Sequence, residues 1–281
     1  MKTIGVVGAG VMGAGIAQTA AHQGEFRVKL CDIEDRFLER GLQTIRKGLG
    51  RLVEKEVLSP AGLEGVMARI STSTDLAVLK DADLIIEAVS ENFEIKKEIL
   101  QNLEKVVNED AVLASNTSTF PITQLAGCTT IPDRVVGMHW FNPAPVMQLV
   151  EVIRGLKTSD STVEKVRDLA QTMGKSPIEV GDSAGFVVNR VQVPMVNEAV
   201  YLLSEGVASA EAIDEALKLG AAHPMGPLAL ADLIGLDVCL HIMETLHQDL
   251  GDDKYRPCPL LRRYVQAGKL GRKSKQGFFS Y

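Results

Sequence analysis

A histidine and a glutamate, each set in an apolar run, are the residues of this chain best suited to acid–base chemistry. His139 ends the run that starts at Val135, and Glu151 interrupts the run Leu149–Ile153. Because side chains alternate between the faces of a strand, apolar neighbours on both faces predict that Glu151 is buried. A buried carboxylate needs a partner, and His139, one turn away, is the nearest candidate. Such a pair can accept a proton from a hydroxyl group; a purely structural pair is the alternative.

A glycine cluster near the amino terminus forms a second constellation. It matches G-x-G-x-x-G, follows a short apolar run and precedes an alanine-rich helical pattern. This context is typical of a dinucleotide site, in which glycines permit a tight turn and let a pyrophosphate approach a helix N-terminus. The residues concerned are Gly8, Gly10, Val11, Met12 and Gly13. A glycine turn without a ligand is the alternative.

Asp32 indicates which dinucleotide would bind. It follows the last motif glycine by 32 − 13 = 19 positions, at the end of a second apolar run. A carboxylate there accepts hydrogen bonds from a ribose diol and repels a 2′-phosphate. The sequence therefore predicts NAD rather than NADP, with FAD less favoured.

Alternating strand and helix patterns must position these residues. Apolar runs predict seven strands, and helical patterns lie at 12–23, around 93–107 and at 161–173. The predicted strands are Thr3–Val7, Phe26–Cys31, Leu84–Ala88, Val112–Ser115, Val135–His139, Gln148–Ile153 and Pro177–Val180. This alternation predicts an α/β fold, a Rossmann-type, doubly wound, mainly parallel sheet.

The pattern changes near residue 182, after which no convincing strand follows. Helices are predicted at Phe186–Glu205 with a bend at Pro194, and at Ala210–Lys218, Ala229–Leu250 and Leu260–Ala267. We therefore predict an NAD-binding domain at 1–183 and an all-helical substrate and dimerisation domain at 184–281.

The composition excludes several classes of protein. The 281 residues are 46% hydrophobic and 23% charged, with a net charge of −6, which argues against a disordered chain and against general binding of nucleic acid or anionic membrane. Glycines interrupt the apolar amino-terminal run, so it is a poor signal peptide, and we see no membrane span. The four cysteines are far apart, which favours reduced thiols in the cytoplasm. No third ligand stands near His139, so we predict no metal.

Motifs along the whole chain resemble those of the 3-hydroxyacyl-CoA dehydrogenases. The matching segments are 114–118 (ASNTS), 139–145 (HWFNPAP), 149–153 (LVEVI), 185–190 (GFVVNR), 223–227 (HPMGP), 235–237 (GLD) and 277–279 (GFF). The resemblance is strongest to short single-function members that act on 3-hydroxybutyryl-CoA. It implies a Rossmann domain, a helical dimerisation domain, a homodimer and NAD-dependent oxidation of an (S)-3-hydroxyl group.

The same resemblance implies roles for individual residues. His139 would be the general base and Glu151 its orienting partner, while Ser118 and Asn189 would hydrogen-bond the reacting oxygens of the substrate. Contacts with NAD are implied for Glu91, Lys96, Asn116, Ser118, Asn142 and Lys273.

Coenzyme A carries several negative charges, so an acidic enzyme needs a local basic surface to bind it. Lys47, Arg51 and Lys55 recur every four residues and would share one helical face. We expect Arg51 and Lys55, with Ser118, to bind the CoA substrate, although Gly48 stands where the family has a polar residue; a merely solvated face is the alternative. Two other functions stay open: oxidation of a non-CoA hydroxy acid such as L-gulonate, and a non-catalytic nucleotide-binding or structural protein.

Overall fold

The computed structural model describes residues 2–281. The described residues form two compact units, 2–182 and 183–281. The first is built on a sheet covered by helices, and the second consists of helices and short 3₁₀ turns. The sequence prediction of an α/β, Rossmann-type unit followed by a helical unit is confirmed.

An eight-stranded sheet organises the first unit. Its order is β3-β2-β1-β4-β5-β6-β7-β8, and neighbouring strands are parallel except for the antiparallel pair β6 and β7. The strands are β1 (Thr3–Val7), β2 (Arg27–Cys31), β3 (Ile70–Ser73), β4 (Leu84–Glu87), β5 (Val112–Ser115), β6 (Val135–Trp140), β7 (Leu149–Arg154) and β8 (Ser176–Gly181). The central strands β1, β4, β5 and β6 are buried throughout, as expected for near-continuous apolar runs covered on both faces.

Strand β3 is absent from the sequence-based assignment. Its sequence, ISTS, has one apolar residue, and its four residues are exposed or half-buried at the edge of the sheet. An edge strand contacts a single neighbour, so it needs no apolar run.

Six α-helices complete the described part of the first unit. The helix that opens at the glycine motif is buried from Gly13 to Ala21, which explains its alanine-rich sequence. The six are α1 (Val11–His22), α2 (Asp35–Glu54), α3 (Pro60–Met67), α4 (Phe93–Leu103), α5 (Ile122–Ala126) and α6 (Asp160–Thr172). One hydrophobic core joins strand residues such as Ile4 and Val152 with helix residues such as Ile16 and Leu169.

Five helices form the second unit: α7 (Val188–Ser204), α8 (Ala210–Gly220), α9 (Pro227–Ile234), α10 (Leu236–Leu250) and α11 (Pro259–Gln266). The predicted single helix Ala229–Leu250 is wrong, because the chain breaks at Gly235, whose φ of 109° is incompatible with helix. Pro194 lies inside α7.

No helix within residues 2–281 has the length and apolar character needed to span a membrane.

Candidate active site

His139 and Glu151 face each other across the antiparallel strands β6 and β7. They form a register pair, and Nδ1 of the imidazole lies 2.7 Å from Oε2 of the carboxylate. The side chains are buried, with 6% of His139 and 1% of Glu151 exposed. The Phe141 ring lies against the imidazole, with 4.6 Å between ring centroids. The inference from alternating apolar neighbours, that a buried Glu151 contacts His139, agrees with this geometry.

The hydrogen bond to Glu151 determines what the imidazole can do. A carboxylate acceptor at Nδ1 favours the tautomer that carries its proton there, so Nε2 becomes the nitrogen suited to take a proton from a substrate. Once Nε2 is protonated, the carboxylate stabilises the imidazolium. A pair with this geometry can exchange a proton with a hydroxyl or carbonyl group.

The glycine motif folds as a phosphate-binding turn requires. Gly8 has φ of +102°, and a Cβ atom there would lie 2.5 Å from the carbonyl oxygen of Ala88. A Cβ atom at Gly13 would lie 1.7 Å from the carbonyl oxygen of Gly8, so helix and turn pack too closely for a side chain. Around Gly10, by contrast, nothing lies within 4 Å of a Cβ position. Gly10 is also the N-cap of α1 and supplies no side-chain cap, which suits an anion at the helix N-terminus.

Asp32 closes the same turn. Its Oδ2 accepts the backbone N–H of Ala9 at 2.6 Å, and its Oδ1 accepts that of Ile33 at 2.7 Å. The carboxylate therefore lies beside the glycine motif, at the end of β2. These contacts fit an NAD ribose site, because the half-buried carboxylate sits next to the turn that would hold the pyrophosphate.

Glu91 organises the loop that contains Ser118. Its Oε1 accepts the hydroxyls of Thr117 at 2.6 Å and Thr119 at 2.8 Å, and the backbone N–H groups of Ser118 at 2.9 Å and Thr119 at 3.1 Å. The Ser118 hydroxyl lies 3.4 Å from the same oxygen and is half-buried. The carboxylate thus fixes the backbone on both sides of Ser118.

Lys96 supports this loop from inside the unit. The ammonium lies 2.8 Å from Glu87 and 3.1 Å from Glu91, and 1% of its side chain is exposed. Burial disfavours the charge of Glu91, but Lys96 and the donors of the loop outweigh it and keep the pKa of this carboxyl below its usual value. The structure therefore places Lys96 inside an ion-pair network behind the loop, and its predicted contact with NAD remains a prediction.

Two asparagines flank the histidine strand. Asn116 accepts the backbone N–H of Trp140 at 2.9 Å and so ties the end of β5 to the end of β6. Asn142 is exposed in the turn between β6 and β7. Asn116 is close to His139 in the sheet, and Asn142 is close to it in the chain. Both positions are therefore compatible with a cofactor contact.

The basic residues expected to bind CoA are exposed. Lys47 and Arg51 lie on α2, and Lys55 is the C-cap residue immediately after it. The spacing of four residues therefore places the side chains along one side of the helix.

In the second unit, Asn189 is the second residue of α7 and is half-buried. Lys273 lies in a 3₁₀ turn, where its ammonium is 2.5 Å from Asp237 at the start of α10. Gly185, with φ of +70°, packs against Leu246, where a Cβ atom would lie 2.8 Å from the leucine side chain.

Sequence reasoning missed the residues that support the site. Thr117 and Thr119 donate to the Glu91 carboxylate that fixes the Ser118 loop, and Glu87 pairs with Lys96 behind that loop. Lys175 binds the turn after His139. Glu87 carried a usable signal, since it is a lone carboxylate at the end of the apolar run Leu84–Ile86. The threonines and Lys175 carried none.

Family comparisons cover both units. The NAD-binding domain model of the 3-hydroxyacyl-CoA dehydrogenases matches residues 3–183, and their C-terminal domain model matches residues 185–281. A probable 3-hydroxybutyryl-CoA dehydrogenase of Bacillus subtilis is 54% identical over the whole chain and 98% of its own length. The mitochondrial hydroxyacyl-coenzyme A dehydrogenase of Sus scrofa is 42% identical over the whole chain and 91% of its length.

Among solved structures, the (S)-3-hydroxybutyryl-CoA dehydrogenase of Ralstonia eutropha superposes with a TM-score of 0.97 at 50% identity, over all of this chain and 99% of the other. The sequence relatives, the solved structure and both domain models all indicate the same family. The chain belongs to the 3-hydroxyacyl-CoA dehydrogenase family.

Proposed function

We propose that this protein is an NAD-dependent dehydrogenase that interconverts (S)-3-hydroxybutyryl-CoA and acetoacetyl-CoA. The observation that carries the proposal is the buried His139–Glu151 pair, 2.7 Å apart, in the same unit as a complete dinucleotide fingerprint. The names of the Bacillus and Ralstonia proteins support the four-carbon substrate.

The residues of the glycine turn fit NAD. Gly10 leaves open space beside the N-terminus of α1, where the pyrophosphate would bind, and Asp32 would hold the ribose. NAD supplies the hydride acceptor when the 3-hydroxyl is oxidised and, as NADH, the hydride donor in the reverse direction.

The chain's own residues supply the proton chemistry. In the oxidation, Nε2 of His139 takes the hydroxyl proton while Glu151 holds Nδ1 and stabilises the imidazolium that forms. In the reduction, the imidazolium returns the proton to the new hydroxyl group. Ser118, held by Glu91, and Asn189 would donate hydrogen bonds to the reacting oxygens and stabilise the charge that develops there.

The boundary at residues 183–184 would separate an NAD-binding domain from a substrate and dimerisation domain. Arg51 and Lys55, with Ser118, would bind CoA. The residues that would contact NAD are Glu91, Lys96, Asn116, Ser118, Asn142 and Lys273. The protein would be a cytoplasmic homodimer, and its partner molecule would be the acyl-CoA substrate.

The test is reduction of acetoacetyl-CoA by purified protein, followed as loss of NADH absorbance. We expect turnover with NADH, much less with NADPH, and much less with free acetoacetate. A His139→Asn variant controls for contaminating activity. Folded protein that leaves NADH unchanged would contradict the proposal. A preference for L-gulonate over the CoA ester would show instead that the substrate is a non-CoA hydroxy acid.

A further inference from the structure

A buried lysine contacts the segment that joins the two catalytic strands. Lys175 stands directly before β8, and 6% of it is exposed. Its ammonium donates to the carbonyl oxygens of Ala144 at 2.8 Å and Met147 at 2.9 Å. It also lies 5.5 Å from the centre of the Trp140 ring, within range of a cation–π contact. Every one of these partners lies between His139 and Glu151.

Burial of this charge is costly. Among residues 2–281 no carboxylate forms an ion pair with Lys175, although most buried ammonium groups have one. Burial accordingly lowers the pKa of Lys175. The two carbonyl oxygens and the Trp140 ring are the contacts that compensate this cost.

The segment between β6 and β7 lacks backbone N–H donors at its two prolines, so its carbonyls depend partly on donors from elsewhere. Residues 141–148, which we call the connecting segment, include Pro143 and Pro145, which have no N–H group to donate. Only one of its carbonyls is used by a local turn, that of Pro143, which accepts the N–H groups of Val146 and Met147. Lys175 provides donors for two further carbonyls and joins both ends of the turn.

The other side of the connecting segment rests on α1. A Cβ atom at Gly15 would lie 3.1 Å from the side chain of Ala144 and 3.2 Å from Pro145. Ala144, 2% exposed, is therefore enclosed between the Lys175 ammonium and the helix that begins at the glycine motif. The connecting segment thus links the catalytic pair to the dinucleotide turn.

We infer that Lys175 is a positioning residue, which holds the connecting segment so that Asn142 meets the cofactor and Phe141 stays against His139. The inference rests on the proposed function. Lys175 touches neither substrate nor cofactor in this role; it acts through the carbonyls of Ala144 and Met147.

A tryptophan immediately before the connecting segment provides a fluorescence probe of this region. Trp140 is the single tryptophan of the chain, 3% exposed, and it lies one residue from His139. Its emission and its energy transfer to bound NADH therefore report on this region alone. NADH binding measured in this way needs no turnover, so a failure of the proposed substrate would leave the test of Lys175 intact.

The experiment compares Lys175→Met, Lys175→Arg and Lys165→Met. The first keeps the apolar stem and removes the donors, the second keeps charge and donors, and the third removes a lysine bond to a backbone carbonyl, that of Asp110, outside the segment. We expect Lys175→Met to weaken NADH binding and to lower kcat by about tenfold each, as small displacements of positioned groups do. Its Trp140 emission would shift, and the KM for acetoacetyl-CoA would change less.

Lys175→Arg would restore most of the NADH affinity, and Lys165→Met would match the wild type. If Lys175→Met does not fold, Gly15→Ala pushes on Ala144 from the opposite side without touching a charge, and we expect weakened NADH binding there too. Folded Lys175→Met with wild-type NADH affinity and kcat would overturn the inference. If Lys175→Met does not fold, wild-type NADH affinity in Gly15→Ala would overturn the inference as well.

Discussion

The Nδ1 atom of His139 and the Oε2 atom of Glu151 are 2.7 Å apart, and the two residues are directly opposed in the only antiparallel strand pair among the named strands of residues 2–281. Directly opposed residues in such a pair bring their Cβ atoms within about 5.5 Å, so both side chains reach each other without leaving the sheet. The register of β6 and β7 therefore places a carboxylate behind the imidazole.

Replacing Glu151 with glutamine tests this relationship. The amide keeps the size of the side chain but removes the charge that stabilises the imidazolium, and it permits the wrong tautomer. We expect kcat for acetoacetyl-CoA reduction to fall roughly 10²- to 10⁴-fold, with NADH binding retained because the glycine turn is unchanged. Steady-state kinetics and NADH titration measure the two effects separately.

Glu179→Gln is the matched control, because Glu179 lies on the neighbouring strand β8 and forms an exposed ion pair with Arg154. It should leave kcat unchanged. Equal turnover in Glu151→Gln and Glu179→Gln would refute the role assigned to Glu151.

The buried ion pair of Lys96 and Glu87 gives a stability prediction. Lys96→Met leaves the Glu87 carboxylate, 0% exposed, without its cation. Breaking a buried pair on one side costs about 3–5 kcal/mol of unfolding free energy. Urea unfolding should show this loss in Lys96→Met but little change in Lys97→Met, whose partner Glu94 is exposed. Equal stability of these adjacent variants would contradict a buried network.

Glu91 gives a pH dependence. Lys96 and the Ser118 loop outweigh burial and hold the pKa of Glu91 below its ordinary value of 4.5. Below that value the unfolded chain binds more protons than the folded one, so unfolding free energy rises with pH there. The contribution of Glu91 is therefore complete above about pH 4.5 and is lost as the pH falls through its folded pKa.

Glu91→Gln removes the titrating group, so the decline of its unfolding free energy below pH 4.5 should be shallower than that of the wild type. Urea unfolding at a series of pH values measures both slopes. Parallel slopes would show that other carboxyls account for the acid sensitivity. The comparison uses slopes because the substitution also changes stability at neutral pH.

The sequence predicted the parts of this site that depend on local pattern. Glu151 was identified because a carboxylate in an apolar strand must be buried, and Asp32 because its distance from the glycines fits one fold. Seven strands followed from apolar runs. The polar edge strand Ile70–Ser73 and the helix break at Gly235 were missed, because tertiary contacts and backbone conformation decide them.

The contacts of the two buried lysines could not be predicted from the sequence. Lys96 reaches back to Glu87 and Glu91 from within an amphipathic helix, where a lysine ordinarily faces solvent. Lys175 binds carbonyls about thirty residues earlier in the chain. Nothing in the residues next to either lysine distinguishes it from an exposed one. Tertiary packing, which the local sequence does not reveal, buries both residues.

Gly10 and Gly13 separate binding from folding within the glycine motif. An added methyl group at Gly10 meets nothing within 4 Å, whereas at Gly13 it would lie 1.7 Å from the carbonyl oxygen of Gly8. Gly10→Ala should therefore keep the wild-type Tm but weaken NADH binding, since its methyl group would occupy space that the pyrophosphate needs. Gly13→Ala should lower Tm, because α1 must move away from the turn. Thermal unfolding and NADH titration of both variants check this, and normal NADH affinity in Gly10→Ala would mean that the pyrophosphate does not bind at this turn.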